Sequence, residues 1–133
     1  MSTARVGLRV VHRRYVCAAD AHYGGALVDG AFSLALFGDV ATELCIRTDG
    51  DEGLFAGYRD VVFHGAVRAG DVLEVEAELV RVGRRSREVA FTARVLCRAE
   101  PERSPSAGRV LPEPLVVTTA RGTVVVPGTV AGA

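Results

Sequence analysis

Apolar residues recur along this chain in two periods. Strict alternation, the mark of a strand with one buried face, runs through 72–82, where Leu73, Val75, Ala77 and Leu79 interleave with Glu74, Glu76 and Glu78. It returns through 86–99, where Val89, Phe91, Ala93, Val95 and Cys97 take the inward places. Gly83-Arg84-Arg85 between the two runs reads as a hairpin, so they form an antiparallel pair with a solvated carboxylate row outside. Alternation also marks 5–16, with Val6, Leu8 and Val10 on one face. Residues 58–68 place Val61, Phe63 and Val67 inward and His64 outward, and 115–126 supply a last strand.

Residues 31–46 break the pattern: Phe32, Leu34, Leu36, Phe37, Val40, Leu44, Cys45 and Ile46, with three alanines, make a helix apolar on nearly every side. Asp49-Gly50 stops it, and 48–57 is a turn-rich connection. The stretch 100–113, rich in Pro, Ser, Arg and Glu, has the composition of a mobile loop. One strand, one long helix and four further strands give an α+β layout, an antiparallel sheet wrapped around one central helix, which is the hotdog architecture. Residues 1–133 form a single domain on this reading. One sheet of this size covers one side of the helix, so a second copy is expected against the other: a homodimer at least, with a trimer of dimers as the larger assembly to consider.

Composition narrows the function. Basic and acidic residues balance at 16 each and the basic ones are scattered, which argues against nucleic acid as a partner. All 16 basic residues are arginine, a bias that suits phosphate or carboxylate recognition but that a GC-rich genome also produces. Cys17, Cys45 and Cys97 lie apart in apolar sequence, as reduced core thiols do, and with His12, His22 and His64 they form no metal-ligand spacing. No stretch reaches the ~20 apolar residues of a membrane span, and the N-terminus lacks a secretory signal pattern, so a cytoplasmic protein is expected.

The helix carries the candidate chemistry. Asp39 and Glu43 are four residues apart and share a face, where like charges repel by roughly 0.2–0.5 kcal/mol even when exposed. Gly38 beside them costs about 1 kcal/mol relative to alanine in a helix interior. Local rules broken together mark a site. Mutual burial would push the two carboxyl pKa values apart and leave one suited to proton abstraction. The plain alternative is an ion pair from Glu43 to Arg47, four residues on.

Four motifs, DAHYGGALVDGA (20–31), FGDVATEL (37–44), DGDEGLF (49–55) and GDVLEVEAELVRVGRRS (70–86), resemble those of the hotdog ammonia lyases that act on β-aminoacyl-CoA, such as β-alanyl-CoA and 3-aminobutyryl-CoA ammonia lyase. The likeness runs from about residue 5 to 125. The first two motifs are specific, whereas the last is shared by many hotdog thioesterases and dehydratases. The chain departs from the family pattern at Ala26, where asparagine is frequent, and at Arg84 and Arg85, where smaller polar residues are.

The resemblance implies a cofactor-free lyase that takes an acyl-CoA as substrate and reversibly eliminates ammonia from 3-aminobutyryl-CoA or β-alanyl-CoA to leave an α,β-unsaturated thioester. Such a reaction needs a base for the proton beside the carbonyl, for which Glu43 is the candidate, with Asp39 as ammonium or proton-relay partner. It also needs donors for the enolate-like oxygen, and the unpaired backbone N–H groups around Asp29 and Gly30 at the helix start suit that role. Gly24, Gly25 and Gly30 let backbone approach substrate, although an ordinary glycine turn with Asp29 as N-cap would read the same. Asp20, His22 and Tyr23 lie in the same loop and serve either proton relay or loop ordering. Arg84, Arg85 and Arg87, or further along Arg103 and Arg109, are candidates for the CoA phosphates, and Ser86 for the pantetheine arm; solvated charge is the bland reading of each. His12 and His64 are placed on sheet surfaces. Two rival functions remain: a hotdog acyl-CoA thioesterase, which needs one carboxylate to activate water, and a non-catalytic CoA-thioester-binding module.

Overall fold

The structure, a computed structural model, describes residues 5–127. Strand β1 (Arg9–Tyr15) is followed by two short 3-10 turns, a two-residue strand β2 (Leu27–Val28) and the 20-residue helix α1 (Gly30–Asp49). Then come β3 (Leu54–Phe63), the two-residue β4 (Val67–Arg68), β5 (Val72–Val82), β6 (Ser86–Ala99) and β7 (Gly108–Val125). The main sheet is antiparallel throughout in the order β1-β5-β6-β7-β3, and β2 pairs with β4 beside it.

Helix α1 lies on the inner face of this sheet. Phe37, Val40, Ala41 and Leu44 pack into Leu73, Val75, Ala77 and Leu79 of β5, Val89, Phe91 and Val95 of β6 and Val117 of β7, and all of these are essentially inaccessible. Phe37 stacks on Phe91 with ring centroids 4.8 Å apart. At about 25 cal/mol per Å² of apolar surface removed from water, this layer is the main source of stability. Gly50 ends the helix in a left-handed conformation (φ 68°), its N–H donating to the Ile46 carbonyl at 2.9 Å, so the Asp49-Gly50 stop stands.

Several expectations need correction. The helix, apolar on nearly every side, is not buried on every side: Ala31, Ala35, Asp39 and Ile46 leave one face open in the single chain. Residues 58–68 are not one strand: β3 ends at Phe63 and Val67–Arg68 form β4, and within β3 Asp60 adopts φ 55° at a bulge between Arg59 and Val62. That extra residue shifts the alternation, leaving Val61 against the core while Phe63 is 54% exposed. The stretch 100–113 is only partly loop. Strand β7 already begins at Gly108, and the ladder with β6 is interrupted between Val110 and Leu115, where Pro112 and Pro114 have no N–H to give. Glu76 is not solvated, for Arg9 (2.8 Å) and Arg94 (3.0 Å) enclose it on the outer face of the sheet. Of the cysteines, Cys45 is buried and its thiol is pushed up to about 11 by burial, but Cys17 is exposed.

Candidate active site

Gly38, Asp39 and Glu43 sit on the open side of α1. A methyl group at Gly38 would meet nothing within 4 Å, so packing within the chain does not explain the glycine. Asp39 is exposed and makes no hydrogen bond or ion pair among the described residues. Glu43 is fully engaged: Oε1 lies 2.7 Å from His12 Nε2, and Oε2 accepts from Arg47 Nε at 2.7 Å. Those donors, His12 first and then Arg47, hold its carboxyl below the usual glutamate value. The expectation that burial would raise Glu43 is therefore corrected. Its side chain is 36% exposed, and two donors stabilise the charged form more than the slight desolvation opposes it.

The loop before the helix divides its residues between ordering and open chemistry. Asp20 orders a turn: one carboxylate oxygen accepts from the Cys17 N–H at 3.1 Å and from its thiol at 3.2 Å, and Arg14 is 3.7 Å away. His22 Nε2 lies 3.2 Å from Asp29 Oδ1 and its ring stacks on Tyr23 at 4.7 Å. Tyr23 is 57% exposed. Gly24 and Gly25 form a 3-10 turn in which Gly25 has φ 74°, and Ala26 follows at φ 60°, a costly value for a residue with a Cβ. Asp29 occupies the N-cap position of α1, yet its side chain makes no capping hydrogen bond. Among the described residues the first-turn N–H groups have no side-chain acceptor, although that of Phe32 donates to the Asp29 carbonyl at 3.2 Å. A Cβ at Gly30 would lie 2.5 Å from the Phe63 ring, so the ring would have to move to admit one.

Within one chain these groups do not converge. At 1.5 Å per residue, Asp39 is about 14 Å and Glu43 about 20 Å along the helix from Gly30. Arg84 and Ser86 are in the hairpin at the far end of α1, where Arg87 contacts Asp49. Arg87 itself is withdrawn from phosphate binding: it is buried, bonds both oxygens of Asp49 at 2.9 and 2.6 Å and donates to the Gly83 and Ser86 carbonyls. Arg103 and Arg109 both pair with Glu100, at 3.0 and 3.2 Å. A cleft of about 580 Å³ opens beside the glycine loop, between Gly25–Leu27, Arg68 and the turn at 100–102, with Arg98 and Arg109 on its walls. A hollow at the other end of the molecule is lined by Ile46, Leu54, Arg85 and Val126. Neither takes in Asp39 or Glu43.

Three residues of interest escaped the sequence reading. His12 faces the helix, not the outer surface, and a signal was present: the inward parity of Val6, Leu8 and Val10 continues to His12 and Arg14. Arg14 accordingly lies over the Phe32 ring at 5.2 Å. Tyr58 donates to the Leu34 carbonyl at 2.5 Å, one turn before Gly38. Burial and, secondarily, the charge of Asp39 push its hydroxyl up to about 12. Arg68 projects at the cleft with no ion pair among the described residues. Nothing in its local sequence sets it apart.

Comparison with known proteins fits this arrangement. The thioesterase superfamily pattern matches residues 26–96. The 3-aminobutyryl-CoA ammonia lyase of Acetoanaerobium sticklandii is 54% identical over 110 residues, 83% of this chain and 87% of that protein. The solved β-alanyl-CoA:ammonia lyase of Clostridium propionicum superposes with a TM-score of 0.86 at 35% identity, covering 92% of this chain and 87% of the other. A hexameric hotdog fold thioesterase of Campylobacter jejuni shares the fold alone, with a TM-score of 0.72 at 18% identity over 87% of this chain and 80% of its own. The chain belongs to the thioesterase superfamily and, within it, to the hotdog family of these ammonia lyases.

Proposed function

We propose that this protein is a carbon–nitrogen lyase that reversibly eliminates ammonia from a β-aminoacyl-CoA, with 3-aminobutyryl-CoA as the favoured substrate and β-alanyl-CoA as the alternative. The observation that carries the reading is the 54% identity to a 3-aminobutyryl-CoA ammonia lyase across most of both chains. The unpaired Asp39 and the His12-bound Glu43 on the open face of α1 support it chemically. In this reading Asp39 receives the substrate ammonium and Glu43 belongs to the base. The helix-start N–H groups at Asp29 and Gly30 hold the thioester oxygen, with Tyr23 and His22 beside them.

The distances along α1 require two copies. A base and an oxyanion site must act on adjacent carbons, so the glycine loop of one protomer serves the helix face of another, in a homodimer built at the β3 edge, where Leu54, Val62 and Phe63 are exposed. A trimer of dimers is the larger assembly this reading admits. The CoA phosphates are assigned to the cleft beside the glycine loop, with Arg68 as the free cation, in preference to Arg84 and Ser86. The enzyme is expected to work in the cytoplasm and to need no cofactor beyond the CoA of its substrate, so turnover should survive exhaustive chelation. No helix among the described residues is long and apolar enough to cross a membrane.

The test is direct. Crotonyl-CoA or acryloyl-CoA with the protein should lose its enoyl absorbance only when ammonium is present. Release of free thiol without ammonium would identify a thioesterase instead. Binding without turnover of either kind, surviving Asp39→Asn and Glu43→Gln, would identify a binding module.

A further inference from the structure

Glu43 is poorly placed to be a base by itself. Both of its oxygens accept short hydrogen bonds, from His12 and from Arg47, and each stabilises the charged carboxylate at the expense of its basicity. An ionised carboxylate has no proton to give, so the hydrogen between it and His12 belongs to Nε2. In the neutral imidazole that leaves Nδ1 with a free lone pair. No other hydrogen bond reaches this ring among the described residues, and the side chain is 35% exposed. A carboxylate behind one ring nitrogen, with the other nitrogen open, is how an imidazole is oriented to accept a proton.

Resting on the lyase reading above, we propose that His12 is the proton acceptor of the reaction and that Glu43 is its positioning residue. His12 Nδ1 takes the proton from the carbon beside the thioester carbonyl. The released C–H pair forms the Cα=Cβ bond, and the C–N pair departs with the nitrogen. The β-ammonium group thereby leaves as neutral ammonia, and the positive charge passes to the imidazolium, stabilised by Glu43 until solvent removes the proton. The reverse reaction starts from that imidazolium.

The groups around His12 come from α1, β1 and β5. On α1 the charged group against it is Glu43, which Arg47 holds from the other side, and Asp39 lies one turn earlier on the same helix. On β1 the inward neighbours are Val10 and Arg14, and Arg14 is turned toward Phe32 and Asp20. On β5 the residue paired with His12 is Val75, flanked by Leu73 and Ala77, while Glu74 and Glu76 lie on the outer face with Arg13 and Arg9.

The experiment is the pH dependence of kcat/KM for ammonia elimination by the parent, His12→Gln and Glu43→Gln, each checked for folding by circular dichroism and thermal melting. Glutamine at position 12 keeps a donor toward Glu43 and loses the basic nitrogen. His12→Gln should lower kcat about 10²–10⁴-fold, the usual range for a lost general base. It should also abolish the fall in rate on the acid side that the parent shows. Glu43→Gln should reduce the rate less and leave that fall in place, displaced to another pH. A Glu43→Gln loss far exceeding that of His12→Gln, with the acid limb intact in His12→Gln, would overturn the inference and make Glu43 the base. Full activity in both variants would assign the pair to structure alone and likewise overturn it. A parent protein with no ammonia-dependent turnover would overturn the lyase reading itself, a separate outcome.

Discussion

Helix α1 carries two acid–base clusters of similar composition and opposite design. At its C-terminal end Asp49 and Arg87 are sealed: their side chains are 10% and 5% exposed, both carboxylate oxygens are taken, and the guanidinium also serves two carbonyls of the β5–β6 hairpin. Toward the outer side of the same helix end, His12 of β1 with Glu43 and Arg47 are 35%, 36% and 60% exposed, and the imidazole keeps one nitrogen uncommitted among the described residues. The first cluster has no spare valence, so its removal should damage folding. The second has one, so its removal should damage chemistry and spare the fold. Burial together with hydrogen-bond saturation separates a structural ion pair from a reactive one where residue type alone does not.

The largest effect expected from this contrast is at Arg87. Arg87→Ala leaves the largely enclosed Asp49 carboxylate with only the Thr48 hydroxyl as donor and should cost about 3 kcal/mol of stability, read from urea denaturation. A loss below 1 kcal/mol would mean the pair is no more structural than a surface one.

Next is acid lability. Burial raises the Asp49 carboxyl, but its hydrogen bonds from Arg87 and Thr48 and the Arg87 charge outweigh that and leave it below 3.8; Glu76, held between Arg9 and Arg94, is lowered in the same way. A carboxyl whose folded pKa lies below its unfolded one binds fewer protons when folded. Its stabilising contribution is complete above the unfolded value and is withdrawn as pH falls through the folded one. Unfolding midpoints should therefore be flat from pH 7 to about 5 and fall steeply below about 4. In Arg87→Ala the Asp49 share of that fall should be absent.

His12→Gln, by contrast, should shift stability by under about 1 kcal/mol, as for other exposed charged contacts, while removing most of the activity. The smallest effects concern the glycine loop and the helix face. Ala26→Gly relieves a left-handed alanine and should stabilise by about 1 kcal/mol. Gly38→Ala, into open space, should stabilise the isolated chain by a similar amount through helix propensity. If thermal melts show stabilisation but turnover falls, the space over Gly38 is occupied during catalysis or in the assembly.

Much of this was legible in the residues. The alternation in 72–82 and 86–99 located the central hairpin, and the Asp49-Gly50 stop and the apolar run before it located the helix. The strand from 58 could not be followed to its end, because a bulge at Asp60 moves side chains to the other face without any change in composition. The prolines near 112–114 likewise disguised a strand that tolerates them at a break in its ladder. At the site, Asp39 and Glu43 were visible as adjacent like charges on an apolar helix. That Glu43 is shared with His12, 31 residues earlier, depends on how β1 lies against α1. Spacing along the chain carries no such information, although the inward parity of His12 pointed toward it.

The most direct test of the lyase reading uses ¹⁵N-labelled ammonium with crotonyl-CoA and mass analysis of the thioester pool. The account predicts an intact CoA thioester that has gained one labelled ammonia on its acyl chain, in an amount that grows with ammonium concentration. Free CoA and unlabelled crotonate in its place would contradict it.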